Sequence, residues 1–198
     1  MQIALGQLDA PVRVIPAEPI SVEAFFQLSA NNPDLRMERE PNGELIVMTP
    51  TNRDTGFRGS YITRALGNWA EADDRGYDFD SSTGFILPDG SVRSPDAAWI
   101  SSDRWKPGSD STDEFNTRLC PDFVIELRFQ SDRLPALQAK MQSWRANGAQ
   151  LAWLIDPTRK TVEIYRPGKP TEVQEGHTAV YGENPVGGFI LELARIWA

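Results

Sequence analysis

The chain has one cysteine, Cys120, and one histidine, His177, in 198 residues. A lone cysteine has no internal disulfide partner, so an intracellular, cytoplasmic protein is expected. The lone histidine lies in the polar, glycine-flanked segment Glu175-Gly176-His177-Thr178 and reads as a surface residue. Serine or cysteine nucleophile schemes, which lean on a histidine base, therefore fit poorly. No apolar run approaches the roughly 20 residues of a membrane span. Met1 to Asp9 carry neither a basic region nor a sustained apolar stretch, so a signal peptide is not expected there. Basic residues are outnumbered, 20 against 28 acids, for a formal charge of −8. That argues against coating nucleic acid by bulk electrostatics, although an enzyme with a local basic groove stays open. Repeats, low-complexity tracts and linkers are missing too. We expect one domain over residues 1–198, with an extended arm over about 1–20 that contains Pro11, Pro16 and Pro19.

What is present is a packed α/β pattern, with 40% hydrophobic residues and six tryptophans, which are expected mostly in the core. Ser21 caps a helix anchored by Phe25, Phe26 and Leu28 and ended by Asn31-Asn32-Pro33. A hairpin follows, Leu35 to Glu40 and Glu44 to Met48, around Pro41-Asn42-Gly43. After the polar loop Thr49 to Thr55, a helix is expected from Gly56 to Asp73, with Phe57, Tyr61, Ile62, Leu66 and Trp69 at helical spacing. A second hairpin pairs Ser82 to Leu87 with Val92 to Ile100 across Pro88-Asp89-Gly90. Ser101 to Pro121, which includes Asp113 and Glu114, reads as a loop. A helix capped by Ser131 or Asp132 runs from Leu134 to Asn147, and Leu151 to Ile155 is a short buried strand.

The chemistry concentrates on Glu126. It sits in Asp122-Phe123-Val124-Ile125-Glu126-Leu127-Arg128, a run whose apolar residues read as a strand covered on both faces. An ionised carboxylate buried there without a partner costs several kcal/mol or more. A metal, a cation or a shared proton must hold it. Asp96 lies thirty residues upstream on the second strand of the second hairpin, and Lys140 fourteen residues downstream on the next helix. At about 100° per residue Lys140 falls at the edge of the stripe Leu134, Leu137, Met141 and Trp144, with Gln138 on the opposite edge. Two carboxylates suit Mg²⁺ or Mn²⁺, which keeps waters and binds phosphate oxygens, and a lysine offsets charge on a reacting phosphate. The plainer reading is an internal ion pair of Glu126 with Arg128 or Lys140. Asp122 reads as a turn or capping residue, and Asp156, before Pro157, as a turn residue.

Ser94-Pro95-Asp96, Pro121 to Leu127, Lys140 with Trp144, Gly148-Ala149 and Trp153-Leu154-Ile155-Asp156-Pro157 together resemble the bacterial "putative restriction endonuclease" family with the PD-(D/E)XK fold. Glu44 to Pro50 matches as well, so the resemblance spans roughly Glu38 to Arg166. It implies a restriction-endonuclease-like α/β domain, a central mixed sheet flanked by helices. It also implies a Mg²⁺-dependent endonuclease that hydrolyses DNA phosphodiester bonds. Asp96 would be the motif's aspartate and Glu126 its second acid, both as metal ligands. The lysine usual two residues after that acid is Arg128 here, and its role would pass to Lys140. Arg128 and Gln138 would contact substrate, and an upstream acid, Glu44 or Asp54, could complete the site. Phe129-Gln130-Ser131 replaces the Ser-Pro-Ser common in the family. By analogy with nucleases of this fold, a homodimer is expected. Two other readings stand beside it: a non-catalytic interaction module that keeps the fold, and phosphoester hydrolysis on a small nucleotide.

Overall fold

The computed structural model of the protein describes residues 10–48, 52–108 and 118–198. The first nine residues of the expected arm, Thr49 to Thr51 of the polar loop, and Asp113 and Glu114 lie outside the described residues. In chain order the elements are β1 (Val12–Val14), α1 (Val22–Ala30), β2 (Arg36–Arg39), β3 (Leu45–Met48), α2 (Arg53–Asp73), β4 (Gly76–Asp80), β5 (Phe85–Ile86), β6 (Val92–Arg93) and β7 (Ala97–Ser101). They continue with β8 (Phe123–Leu127), α3 (Leu134–Ala146), β9 (Leu151–Asp156), β10 (Thr161–Tyr165), β11 (Glu172–Glu175), β12 (Ala179–Tyr181), β13 (Ile190–Glu192) and α4 (Ala194–Trp197).

The main sheet has six strands in the order β11-β10-β9-β8-β7-β4. It is mixed: β8 and β9 are parallel, joined through α3, and the other pairs are antiparallel. A parallel pair needs such a crossover, because a tight turn cannot return the chain to the same end of the sheet. Every residue of β8, β9 and β10 is buried, as a sheet covered on both faces requires. Strand alternation divides the cover. Phe123, Ile125 and Leu127 pack with Ile62, Leu66 and Ala70 of α2, while Val124, Ala152 and Leu154 pack with Met141 and Trp144 of α3. Glu126 has the parity of Val124 and so faces α3.

A five-stranded sheet, β1-β3-β2-β6-β5, packs its own core of Met37, Leu45, Val47, Ile86 and Val92 against Phe25 and Leu28 of α1. β12 and β13 form a separate ribbon.

Several local expectations change. The long strand Val92 to Ile100 is two strands in two different sheets, so Asp96 lies just before β7 and not within a strand. Pro95 has no N–H to offer a ladder and holds Ser94 extended, which suits a crossing between sheets. α2 begins at Arg53, because the Asn52 side chain accepts a hydrogen bond from Thr55 N at 2.9 Å. Phe57, expected on its buried stripe, is exposed. α3 has no side-chain N-cap. Ser131 does not cap it, and the Asp132 carboxylate instead accepts from Phe129 N at 2.8 Å. β4 carried no sequence expectation of its own.

Candidate active site

The crossing from β6 to β7 places Asp96 beside β8. Asp96 N donates to Ile125 O at 3.1 Å, and the carboxylate Oδ2 accepts from Leu127 N at 2.8 Å. That bond anchors the acid one residue from Glu126. Both acids line one cleft of about 660 Å³, together with Glu38, Glu40, Arg93 and Lys140. Its walls are α3 on one side and, on the other, the face of β2 that carries Arg36 and Glu38, continued by Glu40.

Lys140 is the hub. Its Nζ lies 2.8 Å from Glu126 Oε1 and 2.7 Å from Glu38 Oε1, and donates to Ser94 O at 3.2 Å. Glu126 Oε1 also accepts from Trp144 Nε1 at 2.8 Å. Glu38 extends the chain of charges: Arg93 Nη1 is 3.2 Å from Glu38 Oε2, and Arg93 Nη2 is 2.9 Å from Glu40 Oε2. Ser94 N donates to Glu38 Oε1 at 3.0 Å. Glu126 is 3% exposed and Glu38 2% exposed, so these contacts lie in a low dielectric, where charges interact strongly.

The ionisation of the cluster follows. Burial pushes Glu126 up to about 7; Lys140 opposes the shift, and the like charges of Asp96 and Glu38 add to it. Burial also raises Asp96, against the Leu127 N–H and Lys140. At Glu38 burial acts in the same sense, but Lys140 and Arg93 outweigh it and hold the carboxyl below its ordinary range. Lys140 is pulled the other way: burial disfavours its charge, yet Glu126 and Glu38 prevail and its pKa stands above the usual lysine value. Lys140 thus stays a cation at neutral pH and is no proton acceptor.

The donor set suits a hard divalent cation. Glu38, Glu40, Asp96, Glu126 and Asp132 line the cleft with Arg13, Arg36, Arg93, Arg133 and Lys140, so acids and bases balance, and Asp96 and Glu126 are the two acids placed side by side at the end of β8. Among the described residues no group of three or more His, Cys, Asp or Glu side chains is arranged to hold a metal ion. Two carboxylates with waters and substrate phosphate are what Mg²⁺ ordinarily takes, so the pair Asp96 and Glu126 is compatible with it.

Other sequence candidates are placed elsewhere. Arg128 pairs with Asp156 Oδ2 at 2.7 Å, and Gln138 Nε2 donates to Glu163 Oε1 at 2.9 Å; neither lines the cleft. Glu44 pairs with Arg13 at 2.8 Å, and Asp54 stands in the exposed first turn of α2. The upstream acid that does reach the cluster is Glu38, which the sequence reading missed. Arg36, Glu38 and Glu40 alternate along one hairpin strand and look like a solvated edge. Asp122 is fully buried, accepting from Ser101 N at 2.9 Å and Gln150 Nε2 at 2.6 Å. Cys120 is buried, and that burial raises its thiol to about 12, so it is no nucleophile.

The mixed sheet, with α2 on one face and α3 on the other and acids at the β7–β8 junction, defines a restriction-endonuclease-like α/β fold. The chain belongs to the Uma2 family, whose description reads "Putative restriction endonuclease" and whose model matches residues 22–194. Among solved structures it is similar to a "putative nuclease belonging to DUF820" from Anabaena variabilis, with a TM-score of 0.74 and 20% identity, covering 90% of this chain and 98% of that one. No curated protein matches the sequence. Among the described residues no helix is long and apolar enough to cross a membrane.

Proposed function

We propose that the chain is one nuclease domain, a metal-dependent endonuclease that hydrolyses phosphodiester bonds of DNA in the Glu126 cleft. The observation that carries this reading is the joint placement of Asp96, Glu126 and Lys140 in one cleft. Asp96 and Glu126 are the residues we assign to hold Mg²⁺ or Mn²⁺. A divalent cation there supplies positive charge against the phosphoryl oxygens and makes a neighbouring water more acidic. Asp96 keeps its direction through the Leu127 N–H, and Glu126 keeps its own through Trp144 Nε1 and Lys140. Lys140, whose three N–H groups are held by Glu126, Glu38 and Ser94 O, acts through its charge, offsetting that on the phosphate as water adds and the bond to the leaving sugar oxygen breaks. Glu38 positions Lys140 and does not touch the reacting atoms. A homodimer in the cytoplasm completes the reading. Incubation of plasmid DNA with Mn²⁺ and with chelator tests it: nicking or linearisation that needs the metal, and that Asp96→Asn and Glu126→Gln abolish, is the expected result. Intact plasmid under every metal condition would end the assignment.

The Glu126–Lys140 contact favours one second reading, a non-catalytic module in which this pair is purely structural. In that case Mn²⁺ leaves the melting temperature where it was, whereas the nuclease reading expects a stabilising shift.

A further inference from the structure

A second cleft of about 470 Å³ opens on the other side of Asp96. It runs between the N-terminal half of α2 and the Asp80-Ser81 turn after β4, and it shares Arg36, Asp96 and Phe129 with the Glu126 cleft. The acid assigned to the reacting phosphate thus forms a wall common to both cavities. A phosphodiester has two ester arms, and each arm here has a cavity to enter. A terminal phosphomonoester would need only one.

Apart from Asp96, assigned to the reacting phosphate, the charged side chains lining this second cleft are Arg36 and Arg64 against Asp80. The first twelve residues of α2 hold Arg53, Arg58 and Arg64 against one acid, Asp54, in a chain whose formal charge is −8. Arg64 lines the cleft beside Arg36. The Arg64 guanidinium stands 5.9 Å from the centroid of the Tyr61 ring, and that of Arg195 5.7 Å from it. Arg36 Nη2 donates to Ser81 O at 3.1 Å, which holds its head at the junction of the two clefts. The acid on the rim, Asp80, is occupied by Ser82 N at 2.9 Å and Ser82 Oγ at 2.6 Å. The helix wall is low: a Cβ added at Gly56 or Gly59 would meet nothing within 4 Å, so neither glycine is required by packing inside the chain.

We propose that the α2 cleft receives the continuation of one DNA strand beyond the candidate cleavage position, with Arg36 and Arg64 taking backbone phosphates. The substrate class is then an extended polynucleotide and not a mononucleotide. This inference rests on the nuclease reading for the position of the reacting phosphate.

Two variants outside the catalytic cleft test it. Gly59→Leu fills the cleft from a position with open space and replaces a poor helix former by a good one. Arg64→Gln removes one cation. Binding is followed by fluorescence anisotropy in chelator with a labelled single strand of about 12 nucleotides, within the 4–16 typical of strand-binding grooves. Hydrolysis of bis(p-nitrophenyl) phosphate with Mn²⁺ follows the chemistry on a small diester. Both variants are expected to bind the oligonucleotide about tenfold more weakly, roughly the loss of one base or phosphate contact. Arg64→Gln should also flatten the salt dependence by about 0.7 in slope. Melting temperature and small-diester hydrolysis should stay at parental values. Parental affinity and parental salt slope in both variants would overturn the proposal, even if plasmid cleavage stands. If the parent cleaves nothing but the variants still lose oligonucleotide affinity, the groove is upheld as a strand-binding surface and the hydrolytic reading is the one that fails.

Discussion

Lys140 on α3 and Glu38 on β2 meet at 2.7 Å, and this contact ties the five-stranded sheet to the helix that covers the six-stranded one. The same ammonium holds Glu126 at 2.8 Å. The two sheets thus close on one cation, and the cleft between them is built around it.

Lys140→Met and Glu126→Gln should therefore separate. Lys140→Met keeps the apolar stem but leaves Glu126 and Glu38 facing each other in a buried site. A loss of about 3–5 kcal/mol is expected in urea unfolding. Glu126→Gln retains an oxygen for Trp144 Nε1, leaves Lys140 on Glu38 and Ser94 O, and removes a costly buried charge. Its stability should stay within about 1 kcal/mol of the parent, a shift of some 2–4 °C in melting temperature. Equal losses in the two variants would point to the structural pair.

The acidity of Glu126 gives a signed pH dependence. Its pKa in the folded protein, about 7, is above its ordinary value because of burial, so the folded state binds this proton more tightly than the unfolded state. The stability it contributes is complete below the unfolded pKa and is lost as pH rises through about 7. Asp96, also raised by burial, acts in the same sense at its own position. Glu38, held low, acts oppositely, and its contribution is lost only as pH falls below the ordinary carboxylate range. Metal-free protein should accordingly melt at a lower temperature at pH 8 than at pH 5.5, and the slope should be shallower in Glu126→Gln. A parent and variant with superimposable pH profiles would contradict the assignment.

Divalent cation should reverse that trend, because it binds the ionised carboxylates. Mn²⁺ at about 100 times its dissociation constant adds roughly 2.7 kcal/mol of stability by mass action. The melting shift should grow with pH between 6 and 8 and vanish in Asp96→Asn and Glu126→Gln. A shift that survives in both would place the cation elsewhere.

Glu38→Gln tests the residue found only in the structure. The amide is uncharged, so Lys140 loses half of its ionic hold while keeping Glu126. Cleavage should slow about 10–100-fold, in the manner of groups that orient a site from behind. The loss should fall in kcat with KM little changed, which steady-state kinetics on a labelled duplex would resolve.

The candidate site was partly legible because some of its signals are local. Glu126 stands out where every neighbour along β8 is apolar, and the 3.6-residue period of α3 puts Lys140 on the same side as Trp144. The caps at Ser21 and Asn52 work through hydrogen bonds to residues three positions away, Ala24 N and Thr55 N. Asn52 precedes the first apolar residue of the helical period, Phe57, by five positions, so periodicity alone does not reach the cap. The exposed Phe57 marks the limit of periodicity, which says which residues share a face but not what covers it.

Short-range chemistry, then, was sufficient for the buried acid and the helix that follows it. The division of Val92 to Ile100 between two sheets, the arrival of Glu38 at Lys140 and the second cleft beside α2 are decided by tertiary packing. Glu38 carries no signature of its own, since an acid alternating with Arg36 and Glu40 along a hairpin is as stable in water as against a partner. Its burial and its lowered pKa arise only when β2 is laid across α3, bringing Arg93 and Lys140 within about 3 Å of its carboxylate. Charges distant in the chain interact through the space that the core leaves between them, and that space is a property of the packed sheets and not of any one segment.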